Sequence, residues 1–282
     1  MERTACIALI IPALVIGLAI APADAYRVRV EPRTIAAGDP FLVKVTGLDR
    51  GLRPHASVFG RTLGFVSCGT RCEVAVGATD ISVRPGRYRI VVSAGRDKKG
   101  AGIKVQAHAY PVLRINLPAD KVDLGEEDAE RAAGEEKLLN ALWQKQTEKK
   151  WEGSFMQPLP NEISTQFGVR RMINDERQSI HRGIDMRGKE GEDVRASNQG
   201  TVVLAEELFF GGNTLVLDHG MGIYSVYMHL ARFFRNRGEE VARGDVIGAV
   251  GSTGRSTGPH LHFGIKVQGV SVNPAAFMKL KL

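Results

Sequence analysis

Five residues in three short segments have the types and spacing to do chemistry. His181 and Asp185 stand in H-R-G-I-D, His229 in Y-M-H-L, and His260 and His262 in P-H-L-H-F. Imidazole nitrogen and carboxylate oxygen are donors that zinc accepts, and a hydrolytic zinc keeps one position open for water. A His and an Asp four residues apart can reach one ion across a bend, which Gly183 permits. That pair alone is a weak signal. His260 and His262 carry more. Residues i and i+2 of a strand share a face, so both imidazoles project one way while Leu261 and Phe263 project into a core. Two close imidazoles are costly to bury without a metal or a proton to transfer. His229 ends a strand that begins at Ile223, and by the same alternation it faces a cleft. His219, in a turn, is given no catalysis.

The elements that must position these residues are strands. Short β-rich runs at 200–205, 213–218, 223–229, 246–250 and 260–267 are separated by glycine-rich turns. They predict a C-terminal antiparallel β domain over 153–282. Upstream, Tyr26, Val28 and Val30 alternate with arginines, Phe41, Val43 and Val45 alternate across Leu42 and Lys44, and Tyr88, Ile90 and Val92 and Ile103 and Val105 show the same period. Period-two alternation with turn signals between the runs predicts a small N-terminal β-sandwich, Ig-like, over 26–110. Residues 111–152 read as a connector and a linker helix. The helix is expected from about Glu126 to Trp151, with Leu138, Leu139, Leu142 and Trp143 forming its apolar stripe and Lys145, Lys149 and Lys150 in its last turns. The fold class is therefore mainly all-β.

The chain has 282 residues, 43% of them hydrophobic, which suits two domains with real cores. Residues 1–25 read as a secretory signal peptide: a short charged start, an apolar run from Ala5 to Ala21, and Ala23-Asp24-Ala25 before the cut. No later stretch is apolar enough to span a membrane. The net charge of +7 biases an exported protein toward polyanions such as a bacterial wall. No basic run interleaved with aromatics points to nucleic acid. Cys68 and Cys72 remain after signal removal. In an oxidising compartment they read as a disulfide, and the alternative is a pair of metal ligands.

Taken together, the motifs resemble the lysostaphin-like (LytM-type) murein zinc metallopeptidases. The resemblance rests on H-R-G-I-D, on G-N-T-L-V-L-D-H-G-M-G-I-Y-S-V-Y-M-H-L at 212–230, and on G-S-T-G-R-S-T-G-P-H-L-H-F-G at 251–264. It spans roughly residues 153–277. It implies Zn2+ on His181, Asp185 and His262, with His260 and His229 as catalytic residues flanking the attacking water. It also implies a zinc-dependent endopeptidase that cleaves peptide cross-links of peptidoglycan in the periplasm or cell envelope. The 206–213 and 251–258 loops would wall the substrate groove, with Arg170, Arg171 and Asn174 near its rim. The alternative is a non-enzymatic activator of cell-wall amidases, with wall enzymes as partners. Family members of that kind have lost zinc ligands, and this chain retains all of them.

Overall fold

Inward-facing residues define the first half of the chain. Val30, Phe41, Val43, Val45, Ile90, Val92, Ile103 and Val105 are all buried in one apolar cluster. The computed structural model describes residues 26–115, 124–174 and 177–282, so the expected signal segment lies outside the described residues. Two sheets enclose the cluster. One has the strand order Arg27–Glu31, Pro40–Thr46, Cys72–Ala78, Phe65–Gly69. The other runs Thr34–Ala36, Asp97–Gln106, Gly86–Ala94, His55–Val58, Arg61–Thr62. Pairing is antiparallel except between Thr34–Ala36 and Asp97–Gln106. Cys68 and Cys72 are disulfide-bonded across the hairpin that joins Phe65–Gly69 to Cys72–Ala78. The metal-ligand alternative for this pair is thereby removed.

The second half is built around the strand Ile223–Phe233. One edge pairs with Gly212–Gly220. The other edge is shared: Ile223 to Met228 pair with His260–Val267, and Leu230 to Phe233 with Val246–Val250. His260–Val267 in turn carries Ile184–Arg187 on its far side. Tyr227, Phe263, Leu215 and Leu230 are fully buried at the centre. The two halves share a core, since Leu42, Val76 and Ala78 of the sandwich belong to the same apolar cluster as Phe167 and Val270. Polar contacts reinforce the junction. The Asn273 amide side chain donates to Asp39 Oδ1 at 3.0 Å, and its backbone N–H donates to Gly38 O at 2.8 Å.

Two expectations for residues 111–152 need correction. Part of the connector is structural: Val112–Ile115 pairs in parallel with Arg170–Ile173. The helix spans Glu126–Trp143 and stops well before Trp151. Tertiary hydrogen bonds claim the backbone beyond it. Tyr224 Oη donates to Lys145 O at 2.7 Å, Met221 N–H to Thr147 O at 2.9 Å, and Lys150 N–H to His219 O at 2.8 Å. Those bonds outweigh a helix propensity that differs by only tenths of a kcal/mol between Gln, Lys and Glu. The lysines expected to oppose the helix dipole therefore lie outside the helix. Of the predicted stripe, Leu142 and Trp143 are buried and Leu138 is exposed. No helix among the described residues is long and apolar enough to cross a membrane.

His219 is a buried core residue near the end of Gly212–Gly220. Its Nδ1 lies 2.7 Å from Gln199 O, and its Nε2 lies 2.7 Å from Ser225 Oγ. Its ring meets Phe155 edge-on at 4.8 Å. A carbonyl cannot donate, so Nδ1 carries a hydrogen. Burial pushes its pKa down to about 4. The unfolded chain binds this proton near the ordinary value of about 6.5, so protonation favours the unfolded state. Stability is full above that value and is lost as pH falls toward 4. Thermal midpoints measured between pH 7.5 and 5 should decline. His219→Gln should lower stability by about 2–3 kcal/mol at pH 7.5 and flatten the decline.

Candidate metal centre

Strand register brings the metal donors together. In the antiparallel pair of Ile184–Arg187 with His260–Val267, Asp185 stands directly opposite His262. On the other side of His260–Val267, Met228 stands opposite His262. His260 and His262 share the cleft-facing side of their strand, while Leu261 and Phe263 are fully buried on the other. His181 reaches the same point from the turn before Ile184. Gly183 is required there, but not for the bend itself. A Cβ at Gly183 would sit 2.6 Å from His262 Nε2 and 2.6 Å from Phe263 O, so the glycine makes room for the ligand ring.

The donor atoms converge. His181 Nε2 lies 2.8 Å from Asp185 Oδ1 and 2.9 Å from His262 Nδ1, and His262 Nδ1 lies 2.8 Å from Asp185 Oδ1. His181 Nδ1 lies 2.9 Å from Gln166 O, so Nδ1 carries the hydrogen and Nε2 presents a lone pair. A carboxylate oxygen and an imidazole lone pair at such separation repel unless a cation lies between them. The set of two imidazoles and one carboxylate, with His181 and Asp185 both buried, fits a divalent ion of the zinc class. Hydrogen bonds set ligand orientation in such sites, and the Gln166 carbonyl has that place on His181. Burial acts to raise the pKa of Asp185, but the two facing imidazoles of His181 and His262 prevail and hold it well below the usual carboxylate range.

His229 and His260 flank this centre. Their ring centroids are 4.7 Å apart, and the His229 ring is 6.2 Å from that of His262. The strand does not end at His229, as expected, but runs through to Phe233. His229 sits at a bulge, where the register against Gly212–Gly220 slips between Leu215–Tyr227 and Asn213–Leu230. It adopts a left-handed backbone, φ 63°, uncommon for a side-chain-bearing residue and enriched at functional sites. Its Nδ1 lies 2.9 Å from Thr253 O, and His260 Nδ1 lies 2.8 Å from Gly258 O. Each ring therefore turns Nε2 toward the cleft. Burial foremost, and then the neighbouring imidazoles, push His229 down to about 4 against the Thr253 hydrogen bond, which acts to raise it.

His181, His229 and His262 line a cleft of about 640 Å³. The two expected loops do form its walls, through Phe210, Gly211 and Arg255. The helix Glu126–Trp143 supplies another wall through Ala129, Ala132, Ala133 and Leu139, and so is more than a spacer. Of the three rim residues named from sequence, Arg171 lines the cleft and approaches Asp185 Oδ2 at 3.5 Å. Arg170 is exposed and, by alternation, on the opposite face of its strand from Arg171; Asn174 occupies a turn with φ 52°. Arg255, Thr253 and Phe210 were not singled out by sequence reasoning. Their position in glycine-rich loops beside the histidine motifs was the available signal.

The geometry now has relatives to set beside it. Residues 179–274 match the model of peptidase family M23. The chain is 40% identical over 114 residues to the DD-carboxypeptidase/endopeptidase Mpg of Neisseria meningitidis, covering 40% of this chain and 26% of that protein. It is 38% identical over 112 residues to the peptidoglycan DD-endopeptidase ShyA of Vibrio cholerae, covering 39% of this chain and 26% of that protein. The chain thus spans about a quarter of the length of these curated relatives. A crystal structure of a peptidase M23 from Pseudomonas aeruginosa superposes with TM-score 0.67 at 25% identity, covering 86% of this chain and 94% of that one. The chain carries a domain of peptidase family M23, the lysostaphin-like (LytM-type) family that its motifs resemble.

Zinc titrated into metal-free protein and followed by calorimetry should bind at one equivalent. His181→Ala, Asp185→Ala and His262→Ala should each weaken binding by more than about 100-fold, beyond the effect of altering groups that only orient the ligands. His219→Gln should bind as the unaltered chain does.

Proposed function

We propose that the chain is an exported zinc-dependent endopeptidase that cleaves peptide cross-links of peptidoglycan. One observation carries the reading. The donor atoms of His181, Asp185 and His262 converge at the floor of a cleft into which His229 and His260 both turn Nε2. A structural metal would leave that second pair without a role. The name of the Vibrio relative, a peptidoglycan DD-endopeptidase, supports peptidoglycan as substrate, and that of the Neisseria relative supports endopeptidase activity.

His181, Asp185 and His262 would hold the ion. The chemistry it supplies when bound is that of a Lewis acid, which polarises a carbonyl and lowers the pKa of water toward about 7. The remaining work belongs to the protein. His260, with Nδ1–H fixed on Gly258 O, offers the Nε2 lone pair as general base. His229 is held the same way by Thr253 O, so it too begins as an acceptor. It can support a developing oxyanion only after taking up a proton. The proton taken from water then has two imidazoles from which to reach the leaving amine. Two neutral ligands and one carboxylate leave a divalent site with net positive charge, which favours an oxyanion.

Incubation of the purified chain with sacculi, with products separated by chromatography, should release un-cross-linked muropeptides. A chelator should stop release and added zinc should restore it. His260→Ala and His229→Ala should reduce turnover by about 10²–10⁴-fold while zinc still binds. Sacculi left intact by the zinc-loaded chain, together with stimulation of a separate wall amidase, would replace this reading with that of a non-enzymatic activator.

A further inference from the structure

Arg255 occupies the fifth position of the loop G-S-T-G-R-S-T-G, and with Arg171 it lines the cleft that holds His181, His229 and His262. Two guanidinium groups near enough to feel each other's charge face one cleft. Arg171 makes an ion pair with Asp185 Oδ2 at 3.5 Å, while Oδ1 of that carboxylate faces the two ligand imidazoles. Arg255 has no carboxylate partner among the described residues; its guanidinium lies over the Phe210 ring, 4.3 Å from the centroid. Two acidic residues stand across the cleft, and neither forms an ion pair with Arg255 or Arg171. Glu135 accepts from Arg131 Nε at 2.9 Å and from Phe209 N–H at 2.8 Å, and Glu136 is exposed on the helix.

The position of Arg255 is built rather than incidental. Gly212 and Gly254 both have positive φ, and their backbones approach until a Cβ on either would lie within 2.3 Å of the other loop. Asn213 N–H donates to Thr253 Oγ1 at 2.9 Å, and Arg255 N–H donates to Phe210 O at 3.0 Å. The loop that orients His229 through Thr253 O thus also fixes Arg255 two residues further on. Stacking on Phe210 occupies the face of the guanidinium and leaves the edge N–H groups of its fork available. A guanidinium without an ion pair, with a second guanidinium beside it in a walled cleft, favours an anionic ligand, and a planar fork matches a carboxylate.

We propose that Arg255, aided by Arg171, is a specificity determinant that receives a free carboxylate of the peptide beside the bond presented to the metal centre. The proposal rests on the reading of the cleft as a peptide site and narrows it to peptides that keep such a carboxylate.

One cross-linked muropeptide in two forms, carboxylates free or converted to amides, provides the test with the full zinc-loaded chain. The acid should be cleaved with kcat/KM about 10- to 100-fold above the amide, chiefly through KM. Arg255→Gln should remove that preference by lowering only the value for the acid. Arg255→Lys, which keeps charge without the fork, should fall between. Calorimetry on the metal-free chain should show the same preference in binding, and Arg255→Gln should abolish it. Equal cleavage and equal binding of the two forms by the unaltered chain overturns the proposal. So does an Arg255→Gln variant that loses both forms alike. Preferential binding of the acid with neither form cut would sustain the carboxylate site and overturn the peptidase reading.

Discussion

The metal centre depends on strand register. His262 stands opposite Asp185 on one side and Met228 on the other, so two inter-strand alignments place one donor against another and carry His229 to the edge of the site. A slip by one residue would turn His260 and His262 into the core and bring Leu261 and Phe263 out to the cleft. Burial guards against that. Leu261, Phe263, Tyr227 and Met186 have essentially no solvent exposure, and exposing aromatic and aliphatic side chains of that size costs roughly 1.5–3 kcal/mol each. The same apolar residues that stabilise the sheet therefore hold the ligands in alignment.

Strand alternation was legible in the sequence because it is local. The inward residues of the sandwich and the shared face of His260 and His262 follow from period two alone. The helix end was not legible, because it is decided by bonds to Met221, Tyr224 and His219, seventy or more residues away in the chain. The left-handed conformation of His229 was equally hidden. It arises where one strand carries an extra residue against its neighbour, and only the pairing of the two strands reveals it. Arg255 was read as part of a glycine-rich loop because its importance lies in Phe210 and Arg171, neither close to it in sequence.

The glycines of the site illustrate two different demands. Gly183 does not adopt a left-handed backbone; it is needed because the His262 ring and Phe263 carbonyl occupy the space of a side chain. Gly212 and Gly254 meet both demands at once, left-handed backbone and contact with the facing loop. A sequence shows three glycines near histidines. The structure separates one that admits a ligand ring from two that bind the loops together.

The N-terminal half bears on the same alignment. Leu42, Val76 and Ala78 contribute to the cluster that includes Ile184, Met186 and Phe263, which flank the ligands along their strands. Removing the sandwich would therefore open the core directly behind the site. The segment after the helix has a similar consequence. Its bonds to Met221 and Lys145's acceptance of the Tyr224 hydroxyl tie the helix end to the strand that leads to His229, and Trp143 packs on Tyr224 at 5.2 Å. The wall of the cleft and a residue facing it are thus fixed to one strand, so displacing the helix would strain the same backbone that holds His229 in its left-handed turn.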